Sequence, residues 1–199
     1  LNIANYLTIG RIILSPFFLI VYLTHNSIGI SDSQLPYVLL ILFALSELSD
    51  LLDGFFARHY HQVTDLGKIM DPMADSIART SAFLTFTLPP VNLPMILIFA
   101  FLYRDAVIST LRTLCALGGF ALAARLSGKL KAVIQAIAIF IIIVLMILHA
   151  EQIITLSELQ LYSCITVSFA ALYALISGLD YIIANRQYIL KAMRGHSIV

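Results

Sequence analysis

The chain has 199 residues, 60% of them hydrophobic and 12% charged, with a mean hydropathy of +0.96. A soluble domain of this size cannot hide that much apolar surface in one core, so the composition points to an integral membrane protein. The formal net charge is +1, without the basic excess of a nucleic-acid binder, and no nucleic-acid partner is expected.

Proline, glycine and polar clusters divide the chain into six apolar stretches, near residues 5–24, 35–59, 65–88, 93–119, 127–149 and 157–187. Each is long enough to cross about 30 Å of hydrocarbon. The expected fold class is therefore all-α, a polytopic membrane protein with six transmembrane helices. The connections around 25–34, 88–93 and 150–156 contain no Lys or Arg, whereas the other side carries Arg58, Lys68, Arg125, Lys129, Lys131, Arg186, Lys191 and Arg194. The positive-inside rule then places both termini in the cytoplasm. No polar linker and no internal repeat interrupts the chain, so residues 1–199 read as a single membrane domain. The first segment lacks a basic leader and a small-residue cleavage site, and is expected to remain as a membrane helix. Pro16 should kink that helix, and Pro89-Pro90 should mark an external turn. Cys115 and Cys164 lie in apolar runs without paired spacing and read as packed free thiols.

Between the second and third stretches the sequence fits D-x-x-D-G-x-x-A-R, eight further residues, then G-x-x-x-D-x-x-x-D. Asp50 and Asp53 are three apart and Asp71 and Asp75 four apart, so each pair shares one helix face. Four clustered carboxylates in a bilayer would repel one another and keep protons, a conflict that divalent cations remove. Oxygen ligands without cysteine suit hard ions such as Mg²⁺ or Mn²⁺, which retain waters and engage substrate phosphates. Gly54, Ala57 and Gly67 are small residues beside the acids, open either to close helix packing or to a flat ligand. Arg58 reads equally as an interfacial positive charge.

This set of eight positions resembles the signature of the CDP-alcohol phosphotransferases, integral membrane enzymes that displace CMP from a CDP-linked substrate. The resemblance implies a six-helix homodimer in which Asp50, Asp53, Asp71 and Asp75 bind two divalent ions, with Asp75 as general base. It also implies that Gly54, Ala57, Arg58 and Gly67 receive the cytidine diphosphate part together with Asp50, Asp53 and Asp71.

The acceptor alcohol must be chosen elsewhere. Asn2-Ile3-Ala4-Asn5-Tyr6-Leu7-Thr8 followed by Arg11 resembles the opening of the phosphatidylglycerophosphate synthases within that family, which adds Asn5 and Thr8 to the CDP-binding set. Arg104-Asp105, Leu111-Arg112 and Gly128-Lys129-Leu130-Lys131 resemble further elements of the same group, with departures at Ser76, Asp105 and Ala132. On this resemblance CDP-diacylglycerol and glycerol 3-phosphate are the expected substrates. Arg11, Arg104, Arg112, Lys129 and Lys131 then become candidates for the acceptor phosphate, and a bacterial inner membrane becomes the location, with the active site facing the cytoplasm. Arg104 and Arg112 are eight apart on one helix, hence on nearly the same face, and a phosphate attracts such charges through ionic hydrogen bonds. Lys129 and Lys131 read alternatively as anchors at anionic headgroups. Arg104, inside a membrane segment, needs substrate or a partner such as Glu47 or Asp105. Arg79 is open to pairing with a carboxylate or to supplying charge near Ser76. Rival readings are the same chemistry with inositol phosphate or serine, and a divalent-cation transporter.

Overall fold

The computed structural model describes residues 3–59, 65–119 and 125–193, with side chains described for 6–52, 70–119 and 125–192. These residues form six helices: α1 (Ile3–Thr24), α2 (Leu35–His59), α3 (Asp65–Thr85), α4 (Met95–Leu117), α5 (Leu126–Ala150) and α6 (Leu156–Met193). No strand occurs among the described residues. A short 3-10 turn, His25–Ile28, follows α1 and ends on Gly29, whose φ of 80° is left-handed backbone that glycine adopts without a Cβ penalty.

Tyr6–Ile28, Leu35–Leu52, Leu126–Ala150 and Leu156–Ala192 are long and apolar enough to cross a membrane. The remaining helices, α3 and α4, have 21 and 23 residues. At 1.5 Å per residue they also reach a little over 30 Å. α3 carries Asp71, Asp75 and Arg79, and α4 carries Arg104, Asp105 and Arg112. Ionisable residues in otherwise apolar helices are costly and mark functional positions. Large apolar side chains such as Phe169, Leu172, Leu179 and Ile183 on α6 are exposed, as hydrocarbon-facing positions are.

The chain clusters into two compact units. The first comprises Leu1–Leu93 with Ile139–Cys164, the second Pro94–Ala138 with Ile165–Val199. In the first, α1 packs against α2 and α3. Phe18 and Phe86, both buried, meet edge to face with centroids 5.8 Å apart. The turn after α3 holds Pro89-Pro90 as expected and is tied down by two side chains: Tyr22 Oη donates to the Pro89 carbonyl at 2.8 Å and Gln160 Nε2 to the Pro90 carbonyl at 3.0 Å. Pro16 stands inside α1, which continues through it. In the second unit, Ile98, Phe101, Ile108 and Cys115 give α4 its buried side. The small residues Ala170, Ala171 and Ala174 are buried on α6, where small side chains permit close helix approach. Cys115 and Cys164 are free.

Candidate active site

Three of the four expected metal-site carboxylates have described side chains, and all three lie in the first unit on two helices that pack on α1. Arg11 of α1, almost wholly buried, bridges two of them. Its Nη1 donates to Asp50 Oδ1 of α2 at 2.6 Å and also to Asp75 Oδ1 of α3. One cationic nitrogen therefore sits between carboxylates that are adjacent neither in sequence nor on the same helix. Such charge-assisted bonds are the arrangement that crowded buried acids require. Arg79, one turn beyond Asp75, bonds the other oxygen, with Nη2 3.2 Å from Asp75 Oδ2. The open question about Arg79 is thus answered by the i,i+4 pairing. Thr8, one turn before Arg11, donates from Oγ1 to Asp71 Oδ1 at 3.0 Å. A single face of α1, Thr8 and Arg11, reaches Asp50, Asp71 and Asp75.

Asp50 and Asp75 offer carboxylate oxygens, the donor type that hard cations take, and these oxygens are paired with Arg11. Among the described residues no group of three acidic, histidine or cysteine ligands comes together. The side chains of Asp53, Gly54, Ala57, Arg58 and Gly67, and of Asn5, lie outside the described residues. Beside Arg79 an open cleft of about 440 Å³ is lined mainly by apolar side chains, among them Leu14, Phe18, Leu42 and Phe43, with Glu47 as its acidic member.

The second unit holds Arg104, Arg112, Lys129 and Lys131, while Arg11 belongs to the first. Asp105 organises two of these cations. Lys131 Nζ lies 2.8 Å from both Asp105 oxygens, and Arg104 Nη1 lies 3.0 Å from Oδ1. Of the two partners considered for Arg104, the structure selects Asp105. Lys131 is buried and Lys129 exposed, so only Lys129 has the exposure of a headgroup anchor. Arg112 stacks over Tyr181, with Cζ 5.3 Å from the ring centroid, and its Nε donates to Tyr181 Oη at 3.3 Å. Arg104 Nε is buried without a hydrogen-bond partner among the described residues, a donor that a bound anion or water would satisfy.

The ion pairs at Asp105 carry a stability prediction. Asp105→Asn removes the carboxylate charge that buried Lys131 and Arg104 both bond, and breaking a buried pair on one side costs roughly 3–5 kcal/mol. The purified variant should unfold at clearly lower temperature or denaturant concentration than wild type, and an unchanged midpoint would show that the Asp105 ion pairs add nothing net to stability.

Sequence reasoning missed four residues of α6. Ser177 accepts from Arg104 Nη2 at 3.0 Å, Gly178 lies against the Arg104 stem, and Tyr181 carries Arg112. Asp180 accepts from Arg125 through both oxygens, at 3.0 and 3.2 Å, and from Ser127 Oγ at 2.6 Å. The available signal was the polar run Ser177-Gly178-Leu179-Asp180-Tyr181 inside an otherwise apolar helix.

The aspartates of α2 and α3 are matched by a wider likeness. A sequence model of the CDP-alcohol phosphatidyltransferases matches residues 1–162. The chain belongs to the CDP-alcohol phosphatidyltransferase family. It is a transferase. Similar proteins include the CDP-diacylglycerol--glycerol-3-phosphate 3-phosphatidyltransferase of Bacillus subtilis, 33% identical over 147 residues that cover 69% of this chain and 74% of the relative. The protein of the same description from Rickettsia typhi is 29% identical over 187 residues, 94% of this chain and 98% of its own. A probable phosphatidylglycerophosphate synthase of Mycobacterium tuberculosis is 28% identical over 181 residues, 91% and 80% of the two chains. Membership in the CDP-alcohol phosphatidyltransferases extends beyond the central signature, since the matched region also takes in Arg104, Arg112, Lys129 and Lys131.

Proposed function

We propose that this protein transfers the phosphatidyl group from CDP-diacylglycerol to glycerol 3-phosphate, giving phosphatidylglycerophosphate and CMP in phospholipid biosynthesis. The observation that carries the reading is the joint presence of Asp50, Asp71 and Asp75, each bonded to Thr8 or Arg11 of α1, and of Arg104 and Lys131 bonded to Asp105. The first suits a diphosphate bound through cations, the second an anionic acceptor. The relatives from Bacillus subtilis and Rickettsia typhi are named for this reaction.

In this reading Asp50, Asp53, Asp71 and Asp75 hold two Mg²⁺ or Mn²⁺ ions. When bound, such ions neutralise charge on the diphosphate and on the departing CMP. Asn5, Thr8, Gly54, Ala57, Arg58 and Gly67 seat the cytidine diphosphate part. The primary hydroxyl oxygen of glycerol 3-phosphate attacks the phosphorus that bears the diacylglycerol, the bond from that phosphorus to the CMP oxygen breaks, and Asp75 takes the hydroxyl proton. Arg11 and Arg79 hold the two Asp75 oxygens in place for that role. Arg104, Arg112, Lys129 and Lys131 bind the acceptor phosphate, and Arg11 balances the acids from α1. All six helices span the bilayer with both termini cytoplasmic, as the lysine and arginine distribution favours. The enzyme acts as a homodimer in a bacterial inner membrane, with its active site facing the cytoplasm.

Replacing Arg112 or Lys129 with Gln should raise the apparent KM for glycerol 3-phosphate roughly 10-fold or more, because a charge-assisted contact contributes about 1.5–3 kcal/mol. The KM for CDP-diacylglycerol should change much less, and free glycerol should be a poor acceptor. Equal use of glycerol and glycerol 3-phosphate would refute the acceptor assignment and leave the phosphotransfer chemistry standing.

A further inference from the structure

One helical turn of α6, Ser177–Tyr181, contacts both arginines of the basic cluster. The geometry points to Ser177 and Gly178 as positioning residues that fix Arg104 for recognition of an anionic acceptor, with Tyr181 doing the same for Arg112. This rests on the reading that these arginines bind the acceptor phosphate.

Arg104 is held along its whole length. At its tip, Nη1 bonds Asp105 and Nη2 bonds Ser177 Oγ at 3.0 Å, while Ser177 Oγ in turn donates to the Ala174 carbonyl at 3.0 Å. Ser177 is buried, so its hydroxyl has little freedom to exchange this partner for water. Along the stem, a Cβ on Gly178 would stand 3.1 Å from Arg104 Cγ and 3.9 Å from Nε, closer to Cγ than ordinary carbon contacts allow. A Cβ on Gly128, at the start of α5, would stand 3.7 Å from Nη2, an ordinary contact. The close approach is therefore at Gly178. An arginine tied at its tip by two hydrogen bonds cannot yield at Cγ without moving its guanidinium, so the missing side chain at 178 sets where the guanidinium lies. Three and four residues on from these positions, on the same side of the helix, Tyr181 supplies a ring face and a hydroxyl acceptor to Arg112. A planar guanidinium recognises phosphate through a fixed fork of donors, so its orientation matters as much as its charge.

The test uses the full-length purified enzyme in lipid nanodiscs with CDP-diacylglycerol, titrating glycerol 3-phosphate. Gly178→Val, Ser177→Ala and Tyr181→Phe are compared with Arg104→Gln and with the double variant Gly178→Val/Arg104→Gln. The expected result is a rise in KM for glycerol 3-phosphate of about 10-fold for Gly178→Val and a smaller rise for the other two, with the KM for CDP-diacylglycerol little changed. The double variant should be no worse than Arg104→Gln alone, since the valine acts through the arginine. A merely structural role would instead make the two effects multiply, lower kcat and shift the KM for both substrates together, and would overturn the proposal. If Gly178→Val fails to fold, the same non-additivity is read with Ser177→Ala. If Arg104→Gln itself leaves the KM unchanged, the acceptor assignment fails and the positioning role fails with it. If Arg104→Gln raises the KM but neither Gly178→Val nor Ser177→Ala does, the positioning role at Arg104 alone is refuted.

Discussion

Replacing Asp75 with Asn should reduce kcat by something like 10²–10⁴-fold, the range for loss of a positioned general base, while CDP-diacylglycerol binding partly survives. The substitution keeps size and one hydrogen-bond acceptor but removes the proton acceptor and one of the two charges that Arg11 bridges. The variant should therefore be read by single-turnover kinetics alongside a direct binding measurement with the nucleotide lipid. If binding and turnover fall together, Asp75 acts only as a ligand for cation and substrate. Because Arg79 pairs with the same carboxylate, Arg79→Gln should be milder, lowering kcat without abolishing it.

A second large effect is expected at Asp50. Asp50→Asn, like Asp71→Asn or removal of divalent cations by a chelator, should eliminate most turnover, and Mg²⁺ or Mn²⁺ should restore the chelated wild type readily but the variant only in part and at much higher concentration. Asp50 shares the Arg11 nitrogen with Asp75, so its neutralisation removes one counter-charge from a buried guanidinium. Adding cation back separates the two consequences, since a misfolded variant stays inactive and aggregates while a folded variant that binds cation weakly recovers at higher concentration. Full wild-type activity in excess chelator would remove the cations from the mechanism.

Much of this was legible in the sequence because membrane helices advertise themselves. Apolar runs bounded by Pro, Gly and polar residues placed all six helices within a few residues of those observed. The largest differences are at the end of α3, which stops at Thr85 ahead of the Pro89-Pro90 turn, and at the end of α6, which runs on to Met193. The charges at Asp71 and Asp75 made α3 recognisable as functional and, by the same chemistry, less apolar than its neighbours. The pairing of Asp75 with Arg79 is one that helical spacing allows, and it was among the readings open for Arg79. The pairing of Arg11 with Asp50 and Asp75 is not legible in this way, because it depends on how α1 packs against α2 and α3. The same holds for Ser177–Tyr181. These residues lie 55 to 73 positions from their partners Arg125 and Arg104 and form no motif with them. Periodicity shows which face of a helix is polar, whereas only packing shows which charge that face meets.

The account is tested most directly by giving the purified enzyme CDP-diacylglycerol, Mg²⁺ and a panel of alcohols, and identifying the lipid product by mass. It predicts phosphatidylglycerophosphate and an equal amount of CMP with glycerol 3-phosphate, and little product with glycerol, serine or inositol phosphate. A preference for serine or inositol phosphate, or CMP release without a new phospholipid, would contradict it.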